Sequence, residues 1–162
     1  WEPNRTGHQA NWNNDVDDPY TFHFSSESAL AIYANQGVSP RKLMIGIPFY
    51  GRGWQNVANG GKNGEWQTAT GAAPGQFQEE AGTRGYSNLR TSFPNMTIVH
   101  DEAAIATFGY TGNNGQWWTF DDPWSIGRKM AIVKQKNLLG AMIWEMSGDN
   151  GSLMTALDTG LN

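Results

Sequence analysis

Two carboxylates, Glu145 and Asp149, stand directly behind a tryptophan at the end of a short apolar run, Gly140 to Asp149 (GAMIWEMSGD). Paired acids across a cleft are what glycosidic cleavage requires, one to protonate the leaving oxygen and one to activate water or to attack. The same two acids equally suit capping of the helix that follows, or holding its loop. Trp144 reads either as an ordinary core residue or as the floor beneath a flat ligand, a role an aromatic face at a strand end fills well. A second constellation lies earlier, where Lys42 to Tyr50 (KLMIGIPFY) runs into Gly51-Arg52-Gly53-Trp54. Flanking glycines let a ligand approach the backbone there, and the Arg52 guanidinium can reach hydroxyl or carbonyl oxygens; a surface salt bridge is the plainer alternative. Glu79 and Glu80, between Phe77 and Tyr86, read by default as a solvated acid pair.

Other chemistries find no support in the pattern. His8, His23 and His100 are scattered, without His or Cys spacing for a metal. Asp15-Val16-Asp17-Asp18 opens like a calcium loop, but Pro19 and Tyr20 fall where the next ligand and the glycine belong. Gly51-x-Gly53 lacks the third glycine of a dinucleotide loop, and Gly60-Gly61-Lys62 is not followed by Ser or Thr. No Ser-His-Asp arrangement is visible, and the absence of cysteine removes disulfide and thiolate chemistry. A net charge of −4 without any basic run argues against nucleic acid and anionic membranes as partners. Eight tryptophans and twenty glycines fit a sugar-binding surface, or equally a tryptophan-rich core with glycine-rich loops.

The elements that must position these residues follow from periodicity and punctuation. Residues 1–23 carry few apolar positions and read as a long loop. Ser25 to Gln36 forms a helix capped by Ser25 or Ser26, with Leu30, Ile32 and Tyr33 as its apolar face, and Gly37 stops it. Lys42 to Tyr50 and Ala141 to Glu145 read as strands buried on both faces, as in a parallel sheet. Between them the helical periodicity fades and glycines cluster. Met96 to His100, Ala106 to Tyr110 and Gln116 to Phe120 read as short strands, the last two joined across Gly112-Asn113-Asn114-Gly115, with one helix near Gly85 to Thr91. Asp122-Pro123 starts a helix over Trp124 to Lys136, and a last short helix runs from Ser152 to Leu157.

Taken together, Lys42 to Trp54 (KLMIGIPFYGRGW), Phe120-Asp121-Asp122-Pro123 and Gly140 to Asp149 resemble glycoside hydrolase family 18, the chitinases. Trp1-Glu2 and Thr6-Gly7-His8 are similar to the segment after that family's sixth barrel strand, so the likeness covers essentially the whole chain. The resemblance implies an α/β fold: a partial (β/α)8 TIM barrel made of residues 1–50 and 119–162, with a small α+β insertion domain at 51–118. Lys42 to Tyr50 would be strand seven and Ala141 to Glu145 strand eight. The family's acid motif, Asp-x-x-Asp-x-Asp-x-Glu, and its Tyr-Asp pair on strand six are not found in this chain. The resemblance therefore implies no catalytic residue here, no metal and no cofactor.

What it does imply is the substrate-holding part of an enzyme that cleaves β-1,4-linked N-acetylglucosamine polymers, using the substrate's own acetamido oxygen as nucleophile. Trp144 matches the tryptophan under the sugar at the cleavage point, and Tyr50 and Arg52 match the Tyr-Gly-Arg lining the cleft. Glu80, with Glu79 as the fallback, matches the insertion glutamate that hydrogen-bonds the sugar, and Trp1 matches an aromatic platform on the product side. The expected partners are chitin or chitooligosaccharide, and either the missing N-terminal barrel portion or a second copy. Secretion is implied by the family, although no signal segment is read here. The rival readings are a stand-alone chitin-binding module and an interaction protein on a degenerate barrel.

Overall fold

The computed structural model describes residues 2–162; Trp1, and with it the stacking role expected of it, lies outside the described residues. In chain order the elements are α1 (Ser26–Asn35), β1 (Met44–Pro48), β2 (Tyr50–Val57), β3 (Thr83–Gly85), α2 (Tyr86–Ser92), β4 (Thr97–Asp101), β5 (Ala106–Tyr110), β6 (Gly115–Phe120), α3 (Pro123–Gln135), β7 (Gly140–Trp144) and α4 (Ser152–Leu161). They build a mixed α/β structure with two sheets. β1 and β7 pair in parallel, with Met44 opposite Gly140 and Pro48 opposite Trp144. The other five strands form an antiparallel sheet in the order β3-β2-β6-β5-β4.

The stretch Lys42 to Tyr50 is not one strand buried on both faces. Lys42 closes a short 3-10 turn over Pro40–Lys42, β1 begins at Met44, and Tyr50 already belongs to the antiparallel sheet. Side chains alternate across a strand, and here the two faces have different fates. Ile45 and Ile47 are buried in one core with Ile126, Met130 and Val133 of α3 and Leu153 and Leu157 of α4. Met44, Met142 and Trp144 remain exposed. The apolar runs give no clue to this asymmetry because both faces are apolar.

The antiparallel sheet is also two-faced. Trp118 and Phe120 of β6 join the same core as Ile45 and Phe49, whereas Trp117 packs with Trp54, Val57, Phe108 and Tyr110 in a second cluster. Gly53 is required in β2 because a Cβ there would lie 2.4 Å from the Trp118 ring. Four of the eight tryptophans (Trp12, Trp54, Trp117 and Trp118) are thus core residues, so much of the aromatic excess is packing and not sugar surface. β2 and β3 are strands that periodicity did not reveal, since glycines and polar residues dominate both.

Helix signals fare better. Ser25 accepts the Ser28 N–H at the start of α1, but of the expected apolar face only Leu30 packs against the core; Ile32 and Tyr33 are exposed. Asp122 and Ser125 form a reciprocal capping box at α3 with Pro123 in the first turn. α4 continues beyond Leu157 to Leu161, and Gly160 allows it to close against Met130. The N-terminal loop is fixed by burial rather than by regular structure. Trp12 is buried and donates its N–H to the Ala104 carbonyl at 2.9 Å. Lys129 of α3 donates to the Ala10 carbonyl and to Asp121, each at 2.5 Å. Asp121 Oδ1 accepts from both Lys129 and Ser125, which offsets part of the cost of burying the pair, while its Oδ2 is buried without a partner.

Candidate functional site

A cleft of about 720 Å³ opens between the N-terminal loop and the first half of β2, a volume typical of small-ligand sites. Tyr50, Arg52 and Trp54 form one wall, and Tyr20, Phe22 and Phe24 of the loop line it as well. Tyr50 and Arg52 sit two positions apart on one strand, which puts both side chains on the same face. The Arg52 guanidinium lies 5.5 Å from the centre of the Tyr50 ring, a cation–π separation. Its Nη1 also donates to the Thr83 hydroxyl at 2.8 Å. Gln9 donates to the Tyr50 carbonyl at 2.9 Å, tying the loop to the strand. Burial and the nearby Glu2 carboxylate raise the Tyr20 phenol above its ordinary 10.0, so the phenol stays neutral near pH 7.

Trp144 is 65% exposed, which settles against the core reading of this residue. It does not line the cleft. Its carbonyl accepts the Phe49 N–H at 2.8 Å, so its backbone lies against the residue that precedes Tyr50. Glu80 is exposed and also outside the cleft wall. Its carbonyl accepts the N–H of Thr83, whose hydroxyl holds Arg52. The structure therefore brings Tyr50 and Arg52 into one wall, and leaves Trp144 and Glu80 outside it, each joined to it by backbone hydrogen bonds. Glu145 and Asp149 take the structural role. Glu145 accepts from the Ser147 hydroxyl, and Asp149 accepts the N–H groups of Leu153 and Met154 at 3.1 and 3.0 Å, capping α4.

One grouping that sequence reasoning dismissed is real. His8 is not isolated: its Nε2 lies 3.0 Å from Glu65, 3.5 Å from Asp101 and 3.7 Å from Asp15. The ring is wedged among Trp66, Phe108 and Trp117 with centroid separations of 5.8 to 6.0 Å. Burial disfavours the imidazolium, but hydrogen bonds that it donates to the Asp101 and Glu65 carboxylates outweigh this and raise the His8 pKa above its ordinary 6.5. Burial likewise pushes the Asp101 carboxyl up. The His8 contact and the Ala104 and Ala103 N–H groups outweigh that and hold it below its ordinary 3.8. Trp66, which lines the cleft, donates its indole N–H to Asp15 at 2.5 Å. Gly7 lets the loop pass, since a Cβ there would lie 2.7 Å from the Trp66 ring. No spacing in the chain announces this cluster, because its members come from four separate segments.

The family model described as glycosyl hydrolases family 18 matches residues 1–149. Chitinase 63 of Streptomyces plicatus is 41% identical over 140 residues, covering 85% of this chain and 21% of that protein. Chitinase A1 of Niallia circulans is 36% identical over 143 residues, covering 86% and 20%. Among solved structures, the catalytic domain of psychrophilic chitinase B from Arthrobacter TAD20 superposes with a TM-score of 0.87 at 35% identity, over 98% of this chain and 35% of that one. A class V chitinase from Nicotiana tobaccum, solved in complex with NAG4, gives 0.84 at 26% identity, over 100% and 45%. The chain spans about a fifth of the length of these curated relatives.

Proposed function

Because the chain belongs to glycosyl hydrolase family 18, we propose that it is the substrate-holding portion of a chitinase, with the proton donor supplied by residues outside it. In this reading β1 and β7 are the seventh and eighth strands of a (β/α)8 barrel, and residues 51–118 are the α+β insertion between them. The parallel register of β1 and β7 supports this, as does the exposed face carrying Met44, Met142 and Trp144. The observation that carries the proposal is the Tyr50–Arg52 wall beside the exposed Trp144. A pyranose stacks its C–H face on an indole, while a guanidinium and a phenol take its hydroxyl and acetamido oxygens. Glu80, solvent-facing and backbone-linked to Thr83, is placed in this reading to meet the sugar from the insertion side.

Cleavage of such a substrate uses its own acetamido oxygen as nucleophile and needs an acid to protonate the leaving oxygen. The two acids nearest Trp144 are committed elsewhere, Asp149 to capping α4 and Glu145 to Ser147. The 162-residue chain is therefore expected to bind chitotetraose without hydrolysing a chromogenic chitobioside. Turnover that follows the protein peak through repurification would overturn the assignment of the acid to residues outside the chain. Binding no tighter to chitotetraose than to cellotetraose would overturn the substrate class. No helix among the described residues is long and apolar enough to cross a membrane, and action outside the cell is part of the proposal because an insoluble polymer must be met there.

A further inference from the structure

His8, Asp15, Glu65 and Asp101 each offer one ligand atom, and the four atoms lie within 4.8 Å of one another. The His8 side chain is only 1% exposed and the Asp15 side chain 5%. A single Nε2–H can be donated to one acceptor at a time, yet three carboxylates face that nitrogen. Even with His8 protonated, three negative charges against one positive leave a formal excess of two in a mostly buried space. Lys62, the nearby cation, is bound to Asp17 at 2.5 Å and is solvent-exposed. The other ring nitrogen of His8 is buried without any partner. Proton sharing alone thus leaves more carboxylate oxygens facing His8 Nε2 than its one N–H can serve, even with Asp15 also taking the Trp66 indole N–H.

We propose that these four side chains form a binding site for a divalent transition-metal cation of the zinc type, in a structural role beside the sugar cleft. The donor set, one imidazole nitrogen and three carboxylate oxygens, is of the kind zinc accepts. At zinc–ligand bonds of about 2.0–2.1 Å, tetrahedral neighbours stand about 3.4 Å apart. The three separations from His8, 3.0, 3.5 and 3.7 Å, bracket that edge. The far oxygens are already held. Asp15 Oδ1 accepts the Asp17 N–H at 2.9 Å, and Asp101 Oδ1 accepts those of Ala103 and Ala104 at 2.9 and 3.0 Å. Asp101 is thereby left with its second oxygen turned to the centre, while that of Asp15 also accepts the Trp66 indole N–H, contacts of the outer-sphere kind that support metal ligands. A dication in place of the proton on His8 halves the formal excess, from two negative charges to one. Its effect reaches the cleft through Trp66, which donates to Asp15, and through His8, both of which line the cleft.

The test uses the full-length protein, stripped with EDTA and dialysed, titrated calorimetrically with Zn²⁺, Co²⁺, Ca²⁺ and Mg²⁺. The expected result is one saturable equivalent of Zn²⁺, a higher melting temperature, and visible d–d bands with Co²⁺ typical of a low-coordinate nitrogen–oxygen site. Binding is expected to be tighter at about pH 8 than at about pH 6, since the metal displaces a proton from His8. Glu65→Gln and Asp101→Asn should each weaken Zn²⁺ by about tenfold or more. Should either variant fold poorly, the Co²⁺ spectrum and the pH dependence of the unaltered chain carry the test. Three results would each overturn the proposal: no saturable binding, undiminished binding in both variants, or a melting temperature that responds to pH but not to metal.

Discussion

An indole that is 65% exposed at the end of β7 contributes little to the folded state, whereas beneath a sugar it would lose most of that exposure. Trp144→Ala should therefore leave the melting temperature nearly unchanged and weaken chitooligosaccharide binding about tenfold, or about 1.4 kcal/mol, when measured in the full-length enzyme. Trp124→Ala is the control. That ring stacks on His100 at 4.3 Å, away from the cleft, and its loss should leave sugar binding unaltered. Equal losses from the two variants would show that the platform has been misplaced. His8 gives a prediction of a different kind. Its raised folded pKa contributes stability that is fully present below 6.5 and is lost as pH rises through the folded value. Asp101, held low, contributes stability present above 3.8 and lost as pH falls through its folded value. In chelator-treated protein, thermal melts should therefore decline on the alkaline side. His8→Gln should flatten that decline, and a wild-type profile already flat above pH 6.5 would contradict it.

Elements were legible where a local rule operates. Asp122-Pro123 announced α3 because a cap and a fixed φ act within one turn, and the capping box is there. Asp122 also accepts from the Thr107 hydroxyl at 3.0 Å and contacts His100 Nε2 at 2.8 Å. Its replacement by alanine removes a cap and strands a buried hydroxyl, costing about 2–3 kcal/mol. That corresponds to a fall of about 5–10 °C in melting temperature. Asp122→Asn should lose clearly less, and the two variants compared by calorimetry make the check. Tyr50 and Arg52 were singled out through the family resemblance instead, since β2, the strand that carries both, was not read from the sequence. The break between β1 and β2 was not legible, because the residues on either side of it are equally apolar and only pairing partners distant in sequence decide which sheet each joins. The His8 cluster was wholly hidden, since no local pattern links a loop histidine to a carboxylate on β4.

At the scale of the whole molecule, β1 and β7 each have a strand neighbour on one edge only among the described residues. The face they share leaves Met44, Met142 and Trp144 exposed, with Met146 following. Unpaired edges beside an apolar face favour association. The isolated chain is accordingly expected to self-associate or to bind hydrophobic dyes. Sedimentation velocity showing a compact monomer, together with a single cooperative melt, would contradict this and favour a stand-alone chitin-binding module. The single core shared by both sheets is what would make that outcome physically reasonable.

Phe49 is the whole of the link between β1 and β2, one of two passages between the sheets; the other runs from β6 through α3 to β7. Its ring is fully buried, its N–H is taken by Trp144, and its carbonyl accepts the Tyr86 N–H at 2.9 Å. Gly148 presses so close that a Cβ there would lie 2.1 Å from the same carbonyl. A joint one residue long and clamped on both sides has no slack, so it acts as a weld instead of a swivel. The Arg52 wall and the strand that carries Trp144 are thereby held at a fixed spacing. On the proposed reading, the two surfaces would meet a sugar chain as one rigid unit, with neither able to shift relative to the other.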